Sequence, residues 1–170
     1  MYTLNLNLKR SQAFVSEFHR HSKPLKRHMF SIGAVANKEC DYEDAFGVVT
    51  VDRCSSSYSK QPNYVEIRRL CLRPDAPKNT ASFLLGKAKE ACFAMGYEVI
   101  ITYTKPYELG VSLKASGFIL QRARWFINDS HHPRGLLTWV CVRDYSPSIE
   151  DRRWMNETLR QIKEDMQNGG

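Results

Sequence analysis

The chain has 170 residues, 42% hydrophobic and 25% charged. That is the size of one domain with a real core, and it excludes disordered, collagen-like and disulfide-scaffold classes. Lys plus Arg number 25 against 18 Asp plus Glu, a net +7, which points to a polyanionic partner: nucleic acid, an acidic membrane face or a phosphorylated cofactor. The apolar runs are too short to cross a bilayer, and Met1 to Asn7 lacks the basic-then-apolar layout of a signal peptide, so a cytoplasmic location with no membrane partner is expected. Cys40, Cys54, Cys71, Cys92 and Cys141 are odd in number and contain no CxxC pair, so free thiols are expected.

In chain order, Tyr2 to Leu8 alternates and reads as a strand. Ser11 to Arg20 carries Phe14, Val15 and Phe18 at helical spacing behind a Ser cap. His28–Val35, Ala45–Val51 and Tyr64–Leu72 read as strands joined by the polar stretches 36–44 and 53–63. Ala81–Met95 has an apolar stripe ended by Gly96; Glu98–Thr104 is a β-branched, buried strand; Leu109–Ser116 is a short helix closed by Gly117. Phe118–Ile127 and Leu136–Asp144 are two last strands around the turn Ser130–Gly135, and a charged helix runs from Ile149 to about Gln167. The order β-α-β-β-β-α-β-α-β-β predicts a mixed α/β sheet over residues 1–145, with a helical extension over 146–170.

Asp75-Ala-Pro-Lys-Asn-Thr-Ala-Ser runs from a strand into a helix, which gathers free backbone N–H groups and the positive end of the helix dipole. Asn79 or Thr80 is the expected cap, Ala81 and Ser82 are small enough for a diphosphate to approach, and Lys78 adds a charge. The alternative is a merely capped helix after a turn.

Leu70-Cys71-Leu72-Arg73-Pro74, Ala81-Ser82, Leu84-Leu85 and Leu113-Lys-Ala-Ser-Gly117-Phe118 resemble the cofactor strand, pyrophosphate loop, helix and closing Gly-Phe of the GNAT acyltransferases. The element order is similar too, over roughly residues 2–145. The resemblance implies acetyl-CoA or another acyl-CoA as cofactor, bound by Leu70, Cys71, Leu72, Lys78, Asn79, Thr80 and Ser82. The family's Arg/Gln-x-x-Gly-x-Gly/Ala loop falls on Pro77 to Ser82, where its Arg/Gln and both glycines are replaced. His19-Arg-His21-Ser-Lys-Pro24, His28-Met-Phe30-Ser-Ile-Gly33, Arg69-Leu-Cys71, Lys78-Asn79, Ile101-Thr-Tyr103-Thr and Ser112 to Gly117 resemble small GNAT-like proteins of phages and prophages related to the Mom DNA-modification protein. That resemblance implies a transferase whose acceptor is nucleic acid, DNA rather than RNA. An N-acetyltransferase of small amines or protein, and a non-catalytic binding protein, stand as alternatives.

Acyl transfer needs a base for the amine, donors for the oxyanion and an acid for the thiolate. Strict alternation along 64–72 places Glu66 with Leu70 and Leu72 on one face, and Arg69 with Cys71 on the other. Glu66 resembles the glutamate base of histone-type acetyltransferases; the alternative is a carboxylate paired with a neighbouring Arg. The family's acidic Tyr falls on Leu113, which leaves Tyr103, Tyr107 and Ser112 as substitutes, and Glu108 as a second carboxylate or a helix cap; Arg69, Tyr103 and Ser112 are expected around the reacting centre. The resemblance assigns His19, His21, Lys23, His28 and Phe30 to substrate recognition or proton shuttling. His-x-His with no completing carboxylate predicts no metal site. Residues 1–38 carry seven basic residues and one acid, a local +6. Arg122, Arg124, Trp125, Phe126, His131, His132 and Arg134 form a second basic and aromatic group, read as phosphate contact and base stacking or as a solvated basic surface.

Overall fold

A computed structural model describes residues 1–18, 23–55, 61–127 and 133–168. The elements are β1 (Tyr2–Leu6), α1 (Leu8–Phe18), β2 (Phe30–Val35), β3 (Gly47–Arg53), β4 (Tyr64–Leu72), α2 (Thr80–Ala94), β5 (Val99–Thr104), α3 (Val111–Ala115), β6 (Ile119–Ile127), β7 (Pro133–Val142) and α4 (Ile149–Asn168), with a 3-10 turn at Tyr42–Asp44. Backbone hydrogen bonds order seven strands β1-β2-β3-β4-β5-β7-β6. The mixed α/β architecture and the terminal helix are as the hydrophobic periods predict. The chain divides into two compact units, Met1–Ile100 and Ile101–Gly170.

In the first unit, β1 to β4 form an antiparallel meander. Cross-strand partners share a face, so Leu4, Leu6, Gly33, Val35, Val48 and Cys71 lie on one side, where Phe14 and Val15 of α1 close a buried cluster over them. The opposite side carries Gly47 and Leu72, and α2 packs there: a Cβ on Gly47 would fall 2.4 Å from Leu72 and 3.1 Å from Leu84. Asn63, just before β4, holds the entry to β5 by accepting from the amides of Glu98 and Val99 and donating to the Glu98 carboxylate.

Helix α1 begins at Leu8, not at a Ser11 cap. The Asn7 side chain accepts from the Arg10 amide at 2.9 Å, so the cap lies four residues earlier, and Ser11 sits inside the first turns, buried. A serine reads as a cap in sequence because its hydroxyl competes for backbone partners; here that hydroxyl is satisfied by neighbouring strands.

In the second unit, β6 and β7 form an antiparallel hairpin. Helix α4 packs on β6, with Trp125 Nε1 donating to Asp165 at 2.8 Å and Met155, Leu159 and Ile162 buried. Ser148 and Asp151 cap α4 reciprocally, the Asp151 amide bonding the Ser148 hydroxyl and the Ser148 amide bonding the Asp151 carboxylate. No helix among the described residues is long and apolar enough to cross a membrane.

Candidate active site

The α1-facing side of the first unit holds an unusual density of polar groups for a sheet face. Ser31, Thr50 and Arg69 form one row across β2, β3 and β4, and Asp52 and Glu66 form the next row across β3 and β4. Ser31, Thr50, Asp52 and Glu66 are all buried.

The register explains why Glu66 and Arg69 meet on this face. Thr50 pairs with Arg69, but the next residue, Val51, pairs with Ile67, so Arg68 is the extra residue of a β-bulge. The bulge flips the remainder of β4 by one position. Strict alternation separates Glu66 from Arg69; the bulge puts both beside α1, which corrects the expected face assignment.

Each of these side chains is held. Glu66 Oε1 lies 3.2 Å from Arg68 Nε, and Oε2 accepts from the Ser55 amide at 3.0 Å and the Ser55 hydroxyl at 3.1 Å. This is the paired carboxylate of the alternative reading. Arg69 gives Nε and Nη2 to the Lys23 carbonyl and Nη1 to the Arg68 carbonyl, so it ties the segment after α1 to β4. Burial and the adjacent Arg68 lower its pKa, and Glu66 opposes them. Lys23 itself is exposed. Leu8, Ser11, Gln12, Val15, Leu25, Thr50 and Arg69 line a crevice here that is too narrow for a water molecule.

Three hydroxyls form a closed triangle under α1. Ser11 to Thr50, Ser31 to Ser11 and Ser31 to Thr50 are all 3.0 Å apart. His28 Nδ1 reaches Ser31 Oγ at 2.7 Å, and the half-buried imidazole has its pKa lowered by burial, with Asp52 opposing. Sequence reasoning placed His28 among substrate contacts but missed the triangle, since nothing in the spacing of Ser11, Ser31 and Thr50 announces it. Phe30, on β2 opposite Val51, is half-buried on the other face, and His19 and His21 lie outside the described residues.

At the start of α2 the expected cap is absent: Asn79 adopts the left-handed conformation (φ 71°) and makes no side-chain cap. Thr80 is buried and its hydroxyl donates to the Pro77 carbonyl at 2.7 Å, so the Thr80 side chain serves the turn. The amides of Thr80 and Phe83 bond the carbonyls of Pro77 and Asn79. Lys78 and Asn79 are exposed beside the small residues Ala81 and Ser82, and the Ser82 hydroxyl bonds the Asn79 carbonyl. Cys71 is buried against α1, with its thiol pushed up to about 11 by burial, whereas Leu70 and Leu72 face the α2 side.

In the second unit, Glu108 accepts from the Lys105 amide and its carbonyl takes the Thr104 hydroxyl, so it holds the turn after β5, while the cap position of α3 is Gly110, with no side-chain cap bond. Tyr103 is half-buried on β5. Ser112 is half-buried on α3; its carbonyl takes the Ser116 hydroxyl, and Leu113 is buried. Among the described residues no three His, Cys, Asp or Glu side chains converge as a metal site.

No family model matches the chain, and no curated protein matches it. Solved structures do. A Bacillus subtilis acetyltransferase in complex with CoA aligns at 18% identity and TM-score 0.53, covering 78% of this chain and 84% of its own. The ribosomal-protein-S18-alanine N-acetyltransferase from Escherichia coli aligns at 8% identity and TM-score 0.61, covering 87% and 97%. The fold is that of the GNAT acetyltransferases. The aminoglycoside 6'-N-acetyltransferase from Enterococcus faecium is also similar, at 9% identity and TM-score 0.55, covering 87% of this chain and all of its own. The last two of these neighbours are named for a protein and an aminoglycoside acceptor; the expected relation to phage DNA-modification proteins finds no support among the neighbours.

Proposed function

We infer that this protein is an acyltransferase that moves an acyl group from an acyl-coenzyme A to an amine of a small molecule or a protein. The observation that carries the reading is the start of α2. A helix of 15 residues opens without a side-chain cap, on a left-handed Asn79, between exposed Lys78 and small Ala81, in the fold of enzymes that include a CoA-bound relative. The uncapped end supplies amide donors and a positive dipole to a pyrophosphate, and Lys78 adds a flexible charge. The donor, when bound, supplies the thioester to be cleaved. The glycines of the family loop are replaced, yet the backbone still takes the left-handed turn at Asn79, a residue that tolerates it better than most.

Calorimetric titration with acetyl-CoA tests this. The wild type is expected to bind, and Ala81→Glu, which puts a like charge and bulk where the pyrophosphate would lie while suiting a helix N-terminus, is expected to weaken binding at least tenfold. No heat with the intact protein refutes the reading.

One observation favours a nucleic-acid acceptor instead. Arg122, Arg124 and Arg134 share the side of the β6–β7 hairpin that also carries Leu136 and Thr138; all three are exposed, and neither strand contains an acidic residue. His131 and His132, expected in the same group, lie outside the described residues. A salt-dependent affinity for oligonucleotides that falls with Arg122→Ala and Arg124→Ala would support that acceptor; absence of binding leaves the small-molecule or protein amine.

A further inference from the structure

The hydroxyl triangle bears on which ring nitrogen of His28 carries the proton. Ser11, Ser31 and Thr50 make three mutual contacts of 3.0 Å, and each hydroxyl has one proton to give. Ser31 points its proton into the triangle, toward Ser11 or Thr50. All three groups are buried, so a proton withdrawn from the ring would leave one contact without a donor and no water to replace it. The 2.7 Å contact between Ser31 Oγ and His28 Nδ1 is then a bond donated by Nδ1–H to a lone pair of Ser31. The second ring nitrogen, Nε2, is left as the acceptor in the neutral imidazole.

The surroundings keep the ring neutral near pH 7. Burial disfavours the imidazolium. From β3, Asp52 favours it, but burial is the larger influence, and that carboxylate also lies 3.4 Å from the Arg27 guanidinium. From α1 and β2 the groups presented are the hydroxyls of Ser11 and Ser31. The other acid of this face, Glu66, faces Asp52 across the strands with both oxygens already engaged by Arg68 and Ser55. Among the described residues of this face, His28 is therefore a group whose acceptor is prepared and uncommitted to a charged partner.

We propose that His28, held as its Nδ1–H tautomer by the Ser11–Ser31–Thr50 triangle, takes the proton of the acceptor ammonium at Nε2. The assignment rests on the acyl-transfer reading above. The ammonium gives one proton to Nε2 and becomes an amine with a free electron pair. As its nitrogen forms the new C–N bond, the thioester C–S bond breaks, the electron pair leaves on sulfur, and the second nitrogen proton ends on the thiol. The imidazolium returns its proton to water, so each turnover releases one proton.

Two measurements test it. Long-range ¹⁵N–¹H correlation of the histidine rings at pH 7.5, with His28 identified by its loss in His28→Gln, is expected to show a protonated Nδ1 and an unprotonated Nε2. Ser31→Ala should return the ring to the commoner Nε2–H form. With an amine acceptor, kcat/KM of the wild type should fall on the acid side as His28 protonates, and His28→Gln should lose that limb and about a hundredfold in kcat with an unchanged acetyl-CoA Kd. An unprotonated Nδ1 in the wild type, or a His28→Gln enzyme that keeps the limb and the rate, overturns the assignment while leaving acyl transfer standing. A wild type that binds no acetyl-CoA and transfers no acyl group overturns the proposed function, and the role of His28 with it.

Discussion

Replacing Glu66 by Gln separates the two roles open to this carboxylate. The change keeps the volume and an oxygen that can accept from Ser55, but it removes the charge that faces Arg68 at 3.2 Å. The two bonds from Ser55 fall from charge-assisted to neutral, a loss of about 1 kcal/mol each. The ion pair joins a carboxylate side chain that is 7% exposed to a guanidinium side chain that is 21% exposed; partial solvent access to Arg68 reduces its share to about 1 kcal/mol. Glu66→Gln should therefore destabilise the fold by about 3 kcal/mol, or about 6–12 °C in Tm for a chain of this length. Urea and thermal denaturation measure that, and steady-state transfer to an amine at a temperature where both proteins are folded gives the rate. With His28 as the base, kcat should change less than about fivefold, whereas loss of a general base costs about 10²–10⁴. An unchanged stability together with a hundredfold drop in kcat would refute the reasoning and make Glu66 the base.

Gly110 opens α3 at φ 63°, and a Cβ there would meet the Trp139 ring at 2.3 Å; since Trp139 is fully buried and pinned by its 3.0 Å bond to Thr104, Gly110→Ala should cost about 2–4 kcal/mol, read by chemical denaturation, and a cost under about 0.5 kcal/mol refutes the locked-ring account. Burial pushes the thiols of Cys54 and Cys71 up to about 11 and that of Cys92 up to about 12, so at pH 8 only about a thousandth or less of each is thiolate; in the native protein Cys40 should react with a thiol reagent well before these three, as peptide mapping would show. The pKa of His28 is lower folded than unfolded, so the unfolded state binds the extra proton, and this contribution to stability is full above about pH 6.5 and lost as pH falls through the folded value. Urea midpoints at pH 7.5 and 5.5 should accordingly fall further for the wild type than for His28→Gln, and parallel falls would contradict the burial of that ring.

Much of the fold was legible because its strands and helix α2 obey simple periods. Tyr64–Leu72 is observed at both predicted ends, and the helix read from Ala81 to Met95 runs from Thr80 to Ala94. What the sequence hid was how the groups of the candidate site meet, and for two physical reasons. A β-bulge leaves no mark on an apolar/polar pattern when the extra residue is one of two consecutive arginines, so Arg68 and Arg69 look alike while the bulge between their neighbours decides which face Glu66 joins. The hydroxyl triangle, in turn, joins Ser11, Ser31 and Thr50 from a helix and two strands 19 to 39 residues apart, and each alone reads as a cap or an ordinary strand residue. Only the cross-strand row Ser31–Thr50–Arg69, with Ser11 lowered onto it by a helix that begins at Leu8, turns three unremarkable hydroxyls into a device that sets the tautomer of His28. The polar groups that satisfy one another in the interior thus determine which nitrogen His28 turns toward an acceptor, and the same bulge that brings Glu66 to this face delivers it already paired to Arg68.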